Sequence, residues 1–178
     1  MKKILYELYS TKKMACLYSN GADTSKFHFG TVIAINEEEI ALQLISPDGD
    51  DDGITVIGIN NIIRVELDGQ YAEKMKKLYA KSLSSIDSPK IENDNITNSI
   101  LLLAKKERYV VSIELMDSGY NDIVGIVEDI DDIQCKIKQY DEYGYMDGIS
   151  YCFVNDISKL TFLTQDEKRI MRLIKANG

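Results

Sequence analysis

Three groups of side chains have types and spacing that could do chemistry. The first is Pro47-Asp48-Gly49-Asp50-Asp51-Asp52-Gly53, which places Asp48, Asp50 and Asp52 at alternate positions ahead of a glycine. Alternate carboxylates can converge on one hard cation such as calcium, with the glycine allowing the sharp turn. A complete calcium loop ends in a bidentate glutamate at its twelfth position; here that position is Ile59, and the flanking segments read as strands. The competing reading is a solvated hairpin tip whose charges oppose edge-to-edge association. The second group is Tyr140, Tyr143 and Tyr145, followed by Tyr151, in a chain with eleven tyrosines and no tryptophan. Tyrosine joins a rigid apolar body to a polar tip, which suits a protein contact surface. Third come Lys74, Lys76 and Lys77. They could meet phosphates, and they are equally what the negative end of a solvated helix carries.

Catalytic groups are scarce. His28 is the sole histidine and stands between Phe27 and Phe29, so on a strand it faces away from both. Any Ser–His–Asp or Cys–His system, or a histidine-based metal centre, would have to run through this one residue. The glycines Gly49, Gly53 and Gly58 do not precede a helix as a phosphate-cradling loop requires. Cys16, Cys135 and Cys152 form no Cys-x-x-Cys motif and read as reduced thiols filling a core. No catalytic residue and no cofactor is assigned, and the chain is expected not to be an enzyme.

The formal net charge of −8 repels nucleic-acid backbones and anionic membranes on average. Both halves share the sign, with ten basic and twelve acidic side chains up to Leu83 and eleven and seventeen after it. Nucleic acid is therefore disfavoured as a partner, although a local basic patch stays possible. Glu7 and Lys12-Lys13 interrupt any signal-peptide core, and no apolar run approaches the ~18 residues of a membrane span. Together with the sparse cysteines, this points to the cytoplasm and to no membrane contact.

The elements that must position these groups occur twice. Gly30, Asp52-Gly53-Ile54, Asn60-Asn61-Ile62, Met75 and Leu78 return 95 positions later as Gly125, Asp147-Gly148-Ile149, Asn155-Asp156-Ile157, Ile170 and Leu173. Periodicity predicts a helix over the first dozen residues, with Ile4, Leu5, Leu8 and Tyr9 on one face. Strands follow at 14–18, from Phe27 to Ile35, over Ile40–Leu44, over Ile54–Ile57 and over Ile62–Leu67, then a helix carrying Tyr71, Met75 and Leu78. In the second copy a helix is expected over Ile100–Ala104. Strands are expected at 109–115 and 123–130, across Ile133, Cys135 and Ile137, and over 149–154 and 157–163. Loops are expected over 47–53 and 141–148, and Thr164-Gln165-Asp166-Glu167 is a capping box opening the last helix. Residues 1–81 thus form one unit, 82–98 a Ser-, Pro- and Asn-rich linker and 99–178 a second unit.

This order resembles the Sm-like family of small SH3-like barrels. The residues carrying the resemblance are Leu5-Leu8, Ala15–Tyr18, Gly30-x-Val32, Ile40–Leu44 and Asn60-Asn61-Ile62. In the second unit they are Leu103, Val110-Val111, Gly125-x-Val127, Ile133–Ile137 and Asn155-Asp156-Ile157. The resemblance implies a mainly β fold of two tandem five-stranded barrels, each with an N-terminal and a C-terminal helix. The family's RNA pocket draws on an Asp–aromatic–Asn turn and on an Arg-Gly ahead of the Asn-Ile step. Here the turns hold Asn36-Glu37-Glu38-Glu39 and Asp131-Asp132, and the Arg-Gly positions hold Gly58-Ile59 and Phe153-Val154. Stacking and cationic groups are thereby missing where single-stranded RNA needs them. The expectation is a binding or scaffold protein that meets another protein or itself. A nucleic-acid binder using the lysine-bearing helices and a calcium-responsive module remain as alternatives.

Overall fold

A computed structural model describes residues 1–19, 21, 23–79 and 91–178. Among them are ten strands and four α-helices, a mainly β architecture in two units, Met1–Ile96 and Thr97–Gly178. No helix of the described residues is long and apolar enough to cross a membrane.

The first unit opens with α1 (Lys2–Thr11), whose Leu5 and Leu8 are buried and which ends at Lys12 in the left-handed conformation. Five strands follow: β1 (Met14–Tyr18), β2 (His28–Ile35), β3 (Glu39–Ile45), β4 (Asp51–Gly58) and β5 (Arg64–Glu66). They pair antiparallel in the order β5–β1–β2–β3–β4, and α2 (Gln70–Tyr79) closes the unit. One sheet face packs Leu17, Val32, Ile40, Leu42 and Ile57 under Leu5 and Leu8 of α1. On the other face Cys16, Tyr18, Phe29 and Ile45 meet Ala72 and Met75 of α2. Strand alternation supplies both faces, and each helix offers one apolar stripe to its own side.

The second unit repeats this plan. Helix α3 (Ile96–Glu107) leads into β6 (Val110–Leu115), β7 (Ile123–Ile130), β8 (Gln134–Tyr140), β9 (Met146–Phe153) and β10 (Ile157–Phe162), and α4 (Gln165–Asn177) ends the chain. The order is again fifth, first, second, third, fourth: β10–β6–β7–β8–β9. Helix α4 starts at the expected capping box. Glu167 accepts the Thr164 backbone N–H at 2.9 Å and, buried, also accepts the Ser112 hydroxyl at 2.6 Å.

The repeat reaches the irregularities. Register shifts fall between Val32 and Ala34 and between Val127 and Asp129, then between Gln43 and Ile45 and between Lys138 and Tyr140, 95 positions apart in each case. Gly30 and Gly125 sit where the backbone of the next strand passes closest. A Cβ there would stand 1.9 Å from the Gln43 carbonyl oxygen and 2.1 Å from that of Lys138, so neither position admits a side chain.

Several expectations need correction. Helix α3 begins at Ile96, not Ile100, because Ile96 and Thr97 are buried and extend the apolar face formed by Ile100, Leu101 and Ala104. The expected linker lies outside the described residues from 82 to 90, while Asn93–Asn95 form a 3-10 turn. Both loops are shorter than read, since β4 starts at Asp51 and β9 at Met146. Ile133 does not alternate inward with Cys135 and Ile137: it is exposed in the turn before β8. Bulges and close-packed glycines bend the strands, yet among the described residues no ladder joins β4 to β5 or β9 to β10. Each five-stranded sheet is therefore open within its own unit. Local sequence specifies strands and bends; closure depends on edges meeting, which it does not encode.

Candidate functional site

The most unusual surface is built on β9. Among the described residues this strand is hydrogen-bonded to β8 alone and ends the sheet order. The pairing sets Gln134 opposite Phe153, Lys136 opposite Tyr151 and Lys138 opposite Ile149. Because side chains alternate, Ile149, Tyr151 and Phe153 share one face, and they are 47%, 65% and 57% exposed. Met146, at the start of the strand, is also exposed. An apolar row on an unpaired edge breaks the usual pattern, in which edges are short or carry lysine and proline.

The preceding turn holds its tyrosines outward by local chemistry. Asp141 accepts the backbone N–H groups of Tyr143 at 3.0 Å and Tyr145 at 2.8 Å. Gly144, at φ +81°, lies against Leu173 so tightly that a Cβ would come within 2.7 Å of it. The Tyr143 carbonyl accepts the Asn177 side-chain amide at 3.0 Å, tying the turn to the end of α4. Tyr143 and Tyr145 are consequently exposed. Glu142 beside the Tyr143 hydroxyl holds its pKa above the ordinary tyrosine value.

Charge on this face is partly self-compensated. Lys136 bridges to Glu128 at 2.8 Å, which raises the lysine pKa and lowers that of the glutamate, with the hydrogen bond as the main cause in both. The Lys138 ammonium stands 5.7 Å from the centre of the Tyr140 ring. Ladder neighbours on the opposite face are Cys135 and Cys152, whose sulfurs are 3.3 Å apart.

The residues singled out in the sequence are divided by the fold. Tyr143 and Tyr145 belong to the surface just described. Tyr140 does not, for it packs with Val110, Ile126 and Ile170 beneath α4. Lys74, Lys76 and Lys77 all lie on α2, but Lys76 donates to Glu73 at 2.7 Å and Asp68 at 3.3 Å. Lys13 also donates to Asp68, and Lys74 leans over the Tyr71 ring at 5.9 Å. The lysine group is thus partly neutralised by its own carboxylates.

The aspartate loop is a compact turn. The Ser46 N–H donates to the Asp50 carbonyl at 2.8 Å and the Gly49 N–H to the Ser46 carbonyl at 2.9 Å, with Gly49 at φ +92°. Asp48 and Asp50 stay on this turn, whereas Asp52 is already in β4. Among the described residues no group of three or more His, Cys, Asp or Glu side chains is placed to hold a metal ion. His28 opens β2 opposite Leu17 and is half-buried.

Sequence reasoning passed over Met146, Ile149 and Phe153 as surface residues. The period-two alternation of Ile149 and Phe153 with Tyr151 was visible, but the same alternation describes a core strand. Comparison of the chain with known proteins found no matching family model, no matching curated protein and no matching solved structure, so the site is read from its geometry alone.

Proposed function

We propose that this chain is a non-enzymatic, cytoplasmic binding or scaffold protein made of two tandem Sm-like units, acting through protein–protein contacts at β9. The observation that carries the reading is the free edge of β9 beneath the exposed Ile149, Tyr151 and Phe153. Unpaired N–H and C=O groups along such an edge can accept an added strand from a partner, while alternate side chains give selectivity. Large aromatic side chains at the centre of a patch are the type that carries most interface energy. The five-stranded order, the paired bulges and the glycines at the strand crossings support the Sm-like part of the reading.

The test places a photo-crosslinking residue at Tyr151 or Phe153 in the protein's own cells, with Arg172 on α4 as control. Discrete adducts are expected from positions 151 and 153 and not from 172, and Phe153→Ser is expected to abolish the adduct made from 151. Equal labelling from all three positions, or none from β9, would overturn the assignment. Lys74, Lys76 and Lys77 favour a nucleic-acid reading only if single-stranded RNA shows a salt-sensitive shift that their charge reversal removes.

A further inference from the structure

The three cysteines are scattered in sequence, yet the fold brings two of them face to face. Cys135 on β8 is directly opposite Cys152 on β9 in the antiparallel register. Their sulfurs lie 3.3 Å apart, close enough for one thiol to donate to the other. Directly opposed residues of an antiparallel pair have Cα atoms about 4.5–5.5 Å apart, within the roughly 4.4–6.8 Å that a disulfide spans. Joining the two sulfurs therefore asks for side-chain rotation and no movement of the strands.

The repeat gives this pair a reference. The equivalent positions in the first unit are Ile40 and Ile57, opposite each other on β3 and β4 and both buried in the core under α1. A pair of isoleucines is what packing alone puts there. In the second unit that place holds two thiols, one fully buried and the other, Cys152, partly exposed, on the face opposite Tyr151 and Phe153. Cys16, the remaining cysteine, is buried among Tyr18, Phe29 and Met75 in the core beneath α2.

We infer that Cys135 and Cys152 form a reversible intrachain disulfide site, with Cys152 as the residue that attacks a small peroxide and Cys135 as the resolving thiol. The Cys152 sulfur attacks one peroxide oxygen. An S–O bond forms, the O–O bond breaks, and water leaves with the thiol proton. The Cys135 sulfur then attacks the sulfenic sulfur; the S–S bond forms, the S–O bond breaks and a second water leaves with the Cys135 proton. Two thiols have lost two electrons and one peroxide has become two waters. A small dithiol reverses the reaction by exchange.

Acidity supports the division of roles. The hydrogen bond from Cys135 lowers the pKa of Cys152, outweighing its burial, while the same contact and burial raise that of Cys135. Thiolate is the attacking form, so the less buried cysteine is also the one that ionises first. Burial pushes the Cys16 thiol up to about 11, and it is buried in a separate core, so it is set apart from this pair. Once closed, the disulfide fastens the edge strand to β8 on the face opposite Tyr151 and Phe153.

The test treats the intact protein with hydrogen peroxide, alkylates it and maps the peptides by mass spectrometry. A peptide linking Cys135 to Cys152 is expected in monomeric protein, lighter by two hydrogens, with Cys16 still alkylated and dithiothreitol restoring all three thiols. Cys135→Ser is expected to leave a sulfenic acid on Cys152 that dimedone traps, and Cys152→Ser to leave Cys135 reduced. If Cys152 in the wild-type protein advances to sulfinic acid unlinked, if the link forms only between chains, or if Cys16 is consumed as fast, the assignment is wrong. The wild-type peptide map alone decides this, so misfolding of either variant does not shield the inference.

Discussion

The fourth strands of the two units, β4 and β9, occupy the same place in the repeat and have opposite surroundings. Gly53 and Gly148 both take positive φ near their starts, each within the register shift of its strand pair. On one face β4 presents Ile54 and Val56, 1% and 3% exposed, beside Ala41 of β3. Matching positions of the second unit are Ile149, Tyr151 and Lys136, and the first two are about half or more exposed. Small aliphatic side chains pack tightly and leave nothing to recognise. Large amphipathic ones, held outward on a free edge, provide a surface. The backbone plan is shared, and the difference lies in side-chain size and in exposure.

The sharpest way to break this comparison is to put the same charge on both strands. Val56→Asp leaves an unpaired carboxylate in the core and is expected to cost about 3–5 kcal/mol, whereas Tyr151→Asp is expected to stay within ~0.5 kcal/mol of wild type. Urea unfolding measures both, and similar losses at the two positions would erase the distinction between covered and open strands.

A second experiment asks whether the shared backbone plan is equally demanding in the two units. Gly30→Val and Gly125→Val each drive a side chain into a neighbouring carbonyl, at 1.9 and 2.1 Å for the Cβ alone. We expect about 3 kcal/mol of destabilisation in each case, at the upper end of what overpacking produces. If one substitution is tolerated, the two sheets do not share the crossing geometry described above.

The smallest expected effect concerns the turn between the second and third strands of each unit. Asn36 accepts the N–H groups of Glu38 and Glu39 at 2.9 and 2.8 Å, and Asp131 accepts those of Ile133 and Gln134, both at 2.8 Å. Those donors hold the Asp131 carboxyl below its ordinary value of 3.8, Gln134 contributing most. A depressed folded-state pKa means that the contribution is complete above the unfolded value and is lost as pH falls through the folded one. Asn36 has no such dependence. Asp131→Asn should therefore make the second turn indifferent to acid, so that wild type loses stability relative to the variant below about pH 4. A carboxyl titration of Asp131 by NMR at or above 3.8 would contradict this.

Much of the fold was legible because its signals are local. Alternation at Ile40–Leu44 and the run Met14–Tyr18 gave β3 and β1, and Thr164 with Glu167 marked the start of α4. The calcium-like spacing of Asp48, Asp50 and Asp52 is also local, and spacing of that kind does not by itself place ligands. Spacing counts residues along the chain, while a cation needs oxygens converging in space, and here a turn at Ser46–Asp50 runs straight into a strand. Tyr140 was grouped with Tyr143 and Tyr145 by proximity, but strand alternation and α4 draw it into a packed cluster.

Sequence by itself determined the duplicated plan: two units offset by 95 positions, the bends at Gly30 and Gly125, and the turns at Asn60 and Asn155. Each follows from the conformational needs of a few adjacent residues. Tertiary structure alone decided that the sheets stay open, that β4 is covered and β9 is not, and that Cys135 meets Cys152. The last case shows the reason plainly. The one-residue register shift between Lys138 and Tyr140 sets which β9 residue each β8 residue opposes. Without that bulge the two sulfurs would not be partners, and nothing in their spacing of seventeen positions announces it.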